Sequence, residues 1–205
     1  MFRLLKRKIS QNKYFWKFRH LIPSIKKNSD SKSKVINKIF FEIINQNNVV
    51  SIMDFGFGKG ELLKEMYSKQ KNIKFFFGVD INSQNIKNIK KTIKNPNTYF
   101  CERFDKNFLK KLEDFSIKKI DLVVFDRVLY IFSDEELKNL LKSITKVASN
   151  IFIDDFYKIP SFNSEYIHRD WLSIFKEYNF QVKINIDSIN GNPEGCHAKT
   201  LLFSK

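Results

Sequence analysis

Cysteine, proline and glycine are all scarce in these 205 residues, at two, four and six. Cys101 and Cys196 are too few and too far apart to build a disulfide scaffold or a cysteine-rich metal site. No run of 18 or more apolar residues occurs, so no stretch reads as a membrane span. The segment Met1 to Lys8 is basic but has neither an apolar core nor a small-residue cleavage site. It does not read as a secretory signal, and a cytoplasmic protein is the expectation. Acid is nearly absent from the first 40 residues, where twelve Lys and Arg face Asp30 alone. That segment carries +11 of the formal net charge of +15, and residues 41–205 carry +4. Lysine outnumbers arginine and accompanies abundant Asn, Ile and Phe, a mixture that an AT-rich genome produces by itself, so lysine count alone says little.

Three of the six glycines fall in one stretch, Val49 to Leu63. It opens as an apolar, β-branched run suited to a strand buried on both faces. It then passes through Asp54-Phe55-Gly56-Phe57-Gly58-Lys59-Gly60 and resumes with Leu62, Leu63, Met66 and Tyr67 at helical spacing. A strand, a glycine turn and a helix set backbone N–H groups and a helix N-terminus against a nucleotide-like ligand. A dinucleotide site wants its third glycine at position 61, which is Glu61; here the pattern is G-x-G-x-G. Asp54, two residues before the first glycine, suits an α-amino group better than a pyrophosphate. A second buried strand, Phe75 to Val79, runs into Asp80-Ile81-Asn82. Asp80 lies 26 positions after Asp54, about one βαβ repeat, and an acid at that strand end accepts hydrogen bonds from both ribose hydroxyls.

These residues resemble the glycine motif and ribose acid of the class I S-adenosylmethionine-dependent methyltransferases. The resemblance covers residues 33–205 and implies a Rossmann-like, doubly wound α/β fold. Its sheet would be seven-stranded and mostly parallel, with an antiparallel C-terminal hairpin. It also implies S-adenosyl-L-methionine as cofactor, held by Asp54, Phe55, Gly56, Gly58, Gly60, Asp80 and Ile81. Glu102 or Asp105, after the third strand Thr98 to Cys101, would meet the adenine amino group. Asp126 would stand at the cofactor from the end of the fourth strand, Ile120 to Asp126, and Arg127 to Phe132 would line the methyl-transfer site.

The remaining elements are legible from pattern. Val35 to Ile44 and Ser83 to Lys94 have helical spacing, and Phe108 to Phe115 reads as helix. Ser133 with Glu136 forms a capping box opening a helix through Val147. Asn150 to Asp155 is a fifth strand ending in acids, Ile167 to Tyr178 an amphipathic helix, and Gln181–Ile189 with Ala198–Ser204 a hairpin. Asp54, Asp80, Asp126, Asp154 and Asp155 then share the edge where ligands of open α/β sheets collect. Residues 1–32 form a separate arm and linker. Residues 1–28 interleave Phe, Tyr, Trp and Leu with basic side chains, which fits a helix lying on an anionic membrane or, equally, one packed on the sheet.

The acceptor is argued by what is missing. After the fourth strand stands Asp126-Arg127-Val128-Leu129, where methylases of adenine or glutamine nitrogen carry Asn/Asp-Pro-Pro-aromatic. Neither cysteine lies near the fourth or fifth strand, where pyrimidine C5-methylation needs its nucleophile. These absences favour O- or N-methylation of a small-molecule or lipid-linked glycan acceptor over nucleic acid. An RNA methyltransferase using the basic arm, or a non-catalytic S-adenosylmethionine-binding protein, is the alternative. His168 and Asp155 are the candidate general bases, ahead of His20 and His197. Asp126, Asp154 and Asp155 loosely resemble the Mg²⁺ ligands of catechol-type O-methyltransferases, but cofactor contact and loop capping account for them better, and no metal is expected.

Overall fold

A computed structural model describes residues 39–158, 168–191 and 196–205. The expected arm, residues 1–32 with its membrane-binding segment 1–28, lies outside the described residues. Five parallel strands alternate with helices, as the sequence pattern implies. They are β1 (Ser51–Phe55), β2 (Phe75–Val79), β3 (Thr98–Cys101), β4 (Ile120–Asp126) and β5 (Ala148–Lys158). The helices are α1 (residues 39–46), α2 (Glu61–Lys69), α3 (Ser83–Thr92), α4 (Lys106–Asp114) and α5 (Asp134–Val147). A short α6 (Trp171–Lys176) leads to β6 (Gln181–Asp187) and β7 (His197–Ser204).

The seven strands lie in the order β3-β2-β1-β4-β5-β7-β6, and β7 runs against the other six. Alternation along each central strand feeds two cores. Met53, Phe77, Val123 and Ile151 pack with α4, α5 and α6 on one face. Ile52, Phe76, Leu122 and Phe152 pack with α1, α2 and α3 on the other. Burial on both faces is why these strands read as continuous apolar runs.

Helix ends follow local chemistry. Asn82 caps α3, Asp105 caps α4, and Ser133 with Glu136 closes the expected capping box at α5. The last helix is shorter than the sequence pattern suggests, because Asp170 accepts from the N–H groups of Leu172 and Ser173 and starts it at Trp171. β5 is longer than expected at both ends, since antiparallel pairing with β7 carries it to Lys158. At the opposite end of the sheet, Asp121 accepts from Ser51 Oγ and the N–H groups of Val50 and Ser51, which fixes β4 beside β1.

Candidate functional site

The turn after β1 bends back through three glycines with positive φ: 78° at Gly56, 55° at Gly58 and 71° at Gly60. A β-carbon on Gly56 would come within 2.7 Å of Val128, and one on Gly60 within 2.5 Å of Ile89. Those two glycines thus answer to their protein neighbours as well as to φ. Gly56 and Gly58 both border a cavity of about 440 Å³ above the C-terminal ends of β1, β2 and β4. Its wall continues through Phe55, Val79, Asp80 and Ile81, then Glu102, Arg103 and Phe104 after β3. Arg127, Val128, Ile131, Phe132, Glu136 and Leu140 close the side toward α5.

Asp80 is nearly buried and well held. Its Oδ2 accepts the Gly58 N–H at 2.7 Å, and Oδ1 accepts from Asn82 N–H and Asn85 Nδ2. The carboxylate thereby locks the glycine turn to the end of β2. Asp54, one position before Phe55, is buried; burial, with Asp126 and Asp80 nearby, holds its carboxyl well above the usual range.

The expected site residues separate into two groups. Phe55, Gly56, Gly58, Asp80 and Ile81 are brought together on the cavity wall, with Asp54 beneath. Gly60 is set back as the N-cap of α2. Between the two adenine candidates, Glu102 lines the cavity, while Asp105 spends its carboxylate on the N–H groups of Asn107 and Phe108. His168 is exposed before α6 and is not on the wall.

Asp155 is fully buried and turned toward the 3₁₀ turn Leu129–Ile131, accepting from Leu129, Tyr130 and its own neighbour Phe156. Burial pushes this carboxyl up to about 7 in spite of those three donors. The folded protein therefore keeps a proton that the unfolded chain, with its carboxyl titrating near ~4, releases. Stability from this group falls as pH rises from about 4 to about 7 and is level above. Accordingly, the thermal midpoint of Asp155→Asn should change less between about pH 5 and about pH 8 than that of the parent. Equal slopes by calorimetry would mean that Asp155 is ionised in the fold at both values.

Asp126, expected at the cofactor, is not on the cavity wall; it precedes Arg127, which is, and accepts from Asn190 Nδ2 at 2.7 Å. Desolvation and the carboxylate of Asp154 push it up to about 7, with Arg127 and Asn190 pulling the other way. The residue is crowded on its inner side yet exposed outward, so water screens part of that push. Asp154 is completely buried and fully partnered, accepting from Arg127 Nε at 2.7 Å, Ser188 Oγ at 2.8 Å and Thr200 Oγ1 at 2.6 Å. Among the described residues, no group of three metal-ligating side chains comes together.

Sequence reasoning missed Arg169, and placed Arg127 in the lining segment without finding its partners. Arg169, beside His168, is buried and donates to the carbonyls of Leu129 and Phe132 and to Asp134. It pins the segment after β4 that forms the cavity wall. Arg127 has φ of 52°, a left-handed conformation that costs a non-glycine residue about 1–3 kcal/mol and persists where its surroundings enforce it. Its N–H still reaches Asp154 O, while its guanidinium lies over Phe156 at 4.6 Å.

The cavity suits an adenosyl group. A carboxylate stands where a diol would lie, apolar walls flank it, and the glycine turn keeps side chains out of its way. Residues 52–150 match the family model described as a methyltransferase domain. No curated protein matches the sequence. Among solved structures, the fold is similar to the N-methyltransferase NodS from Bradyrhizobium japonicum. That match has 10% identity and a TM-score of 0.64, covering 87% of this chain and 98% of that one. It is also similar to magnesium protoporphyrin IX methyltransferase from Synechocystis, solved with bound S-adenosylhomocysteine, at 12% identity and TM-score 0.61, covering 85% and 83%. The methyltransferase domain of bacterial CtHen1 aligns at 14% identity and TM-score 0.60, covering 82% and 96%. At such identities the likeness is one of fold.

Proposed function

We propose that the chain is a class I S-adenosylmethionine-dependent methyltransferase, as the methyltransferase-domain match over residues 52–150 supports, and that it methylates an oxygen or nitrogen of a small-molecule or glycan acceptor. The observation that carries this choice is the apolar wall after β4, where Val128, Ile131, Phe132 and Leu140 close over the cavity. Such a mouth favours a small group inserted among side chains, as in most small-molecule sites, over a surface laid along a polyanion.

S-adenosylmethionine, when bound, supplies an electrophilic methyl group on a sulfonium. The protein's part is holding and orienting. Asp80 would accept the ribose hydroxyls, the glycine turn would leave room for the cofactor beside Gly56 and Gly58, and Ile81, Glu102 and Phe104 would hold the adenine end. Arg169 keeps Leu129 to Phe132 in place, so that the acceptor meets a fixed wall rather than a mobile loop. A hydroxyl or ammonium acceptor must lose a proton to attack, and Asp126, exposed beside the wall residue Arg127 with its carboxyl raised toward neutrality, is suited to take it.

The basic arm decides where this happens. The +11 charge of the first 40 residues and the aromatic side chains interleaved through the arm suit anionic headgroups, each Lys or Arg near such a surface adding about 1 kcal/mol. A lipid-linked glycan is then the acceptor within reach. The test is to give the full chain radiolabelled cofactor with polar lipid, small-molecule and RNA fractions from one cell extract. Label should enter the lipid or small-molecule fraction, and the chain should sediment with anionic but not neutral liposomes. Label in RNA, with affinity falling steeply as salt rises, would replace this reading by the nucleic-acid one.

A further inference from the structure

Among the described residues, Arg127 and Arg103 are the two cationic residues on the cavity wall, and they follow strands that have two others between them in the sheet. Arg103 follows β3, near Asp80 and Ile81, whereas Arg127 follows β4, across β2 and β1 in the sheet order. The cofactor is itself two-ended, an adenosine joined through sulfur to an amino acid. With Asp80 at the ribose, the amino-acid half would have to extend past Gly56 toward β4 to stay within the cavity. The residue after Arg127 is in contact with that turn, since Val128 Cγ2 would lie 2.7 Å from a β-carbon on Gly56.

The Arg127 fork is held on one side only. Nε donates to Asp154 Oδ1 at 2.7 Å, and Nη2 donates to Ser188 Oγ at 2.7 Å and to Gly191 O. Phe156 supports the guanidinium plane from 4.6 Å away. Among the described residues Nη1 makes no hydrogen bond, so it keeps both its hydrogens. A guanidinium fixed by a buried carboxylate, a hydroxyl and a carbonyl is pre-organised, and little side-chain freedom is left to lose when a ligand arrives. The left-handed backbone at this position goes together with that network.

We propose that Arg127 binds the carboxylate of the cofactor's amino-acid half through Nη1. Asp54, at the entry to the glycine turn, would be left to face the α-amino group, so the two poles of the zwitterion would meet different partners. The assignment rests on the cofactor reading above and makes Arg127 a binding residue, distinct from any group that handles the acceptor.

The test compares S-adenosylhomocysteine with S-adenosyl-3-thiopropylamine, which keeps the adenosine, sulfur and amine and lacks only the carboxylate. By calorimetric titration the parent protein should prefer the former by about ten- to a hundredfold, as for a charge-assisted hydrogen bond. Arg127→Gln should lose that preference by weakening S-adenosylhomocysteine alone. Because this change leaves Asp154 buried with one partner fewer, Arg127→Gln/Asp154→Asn is measured beside it and should behave alike. Equal affinity of the parent for both ligands overturns the proposal while leaving the cofactor reading intact. So does an equal loss for both ligands in the variants, which would make Arg127 a support of the fold. Failure of the parent to bind either ligand would instead sink the cofactor reading itself.

Discussion

Gly58→Leu is expected to abolish S-adenosylhomocysteine binding while the protein stays folded. Position 58 has φ of 55°, borders the cavity and donates its N–H to the carboxylate that is to receive the ribose. A leucine there pays about 1–2 kcal/mol for its left-handed backbone. That is a modest loss beside the ~5–15 kcal/mol of a typical fold. Its larger effect is steric, because the isobutyl group must enter the space above the turn or push the turn from Asp80. Either way the ligand and Asp80 part company, and losing hydrogen bonds to a charged group alone removes about 1.5–3 kcal/mol. Calorimetry should record an affinity drop of at least about a hundredfold, with a thermal midpoint lower by a few degrees. Undiminished binding would place the cofactor elsewhere.

Asp154→Ala should be the most damaging substitution on the sheet's ligand edge for stability. Its carboxylate, 0% exposed, is the common acceptor for Arg127 after β4, Ser188 after β6 and Thr200 on β7. Removing one member of a buried pair leaves the other charge without its counter-ion, at a cost of about 3–5 kcal/mol. For a chain of this size that corresponds to a fall in thermal midpoint of about 10 °C. Asp187→Ala is the matching control, since Asp187 also pairs with a cation, Lys199, but is 86% exposed. Such a pair contributes about 0–1 kcal/mol, so its loss should hardly register. Comparable shifts for the two variants would show that water reaches the Asp154 network.

Periodicity and spacing reveal whatever is written locally. The run from Val49 to Leu63, the acid after β2 and the Ser133–Glu136 box each depend on neighbours within a few positions, and all three are found as read. The terminal hairpin is equally local in cause. Partnerships across the sheet leave no such trace. In His168-Arg169-Asp170 the histidine has the more suggestive chemistry, yet the arginine is the buried one. Its partners are carbonyls at 129 and 132, some 40 and 37 residues away. Likewise Asp154 and Asp155 are adjacent and identical in type, but strand alternation sends one toward Arg127 and β7 and the other beneath the 3₁₀ turn. A positive φ at Arg127 has no signature at all, because the side chain's own bonds select it.

The placement of β7 bears on how the protein is made. It is the last of the seven strands to leave the ribosome, yet it belongs in the interior of the sheet, bonded to β5 on one edge and β6 on the other. Until it emerges, the parallel half from β1 to β5 can assemble, but β5 must wait with an open edge along eleven residues. An exposed, largely apolar strand edge is a template for pairing with another nascent chain. The interval between synthesis of β5 and insertion of β7 is thus the period in which that edge is open to wrong pairing.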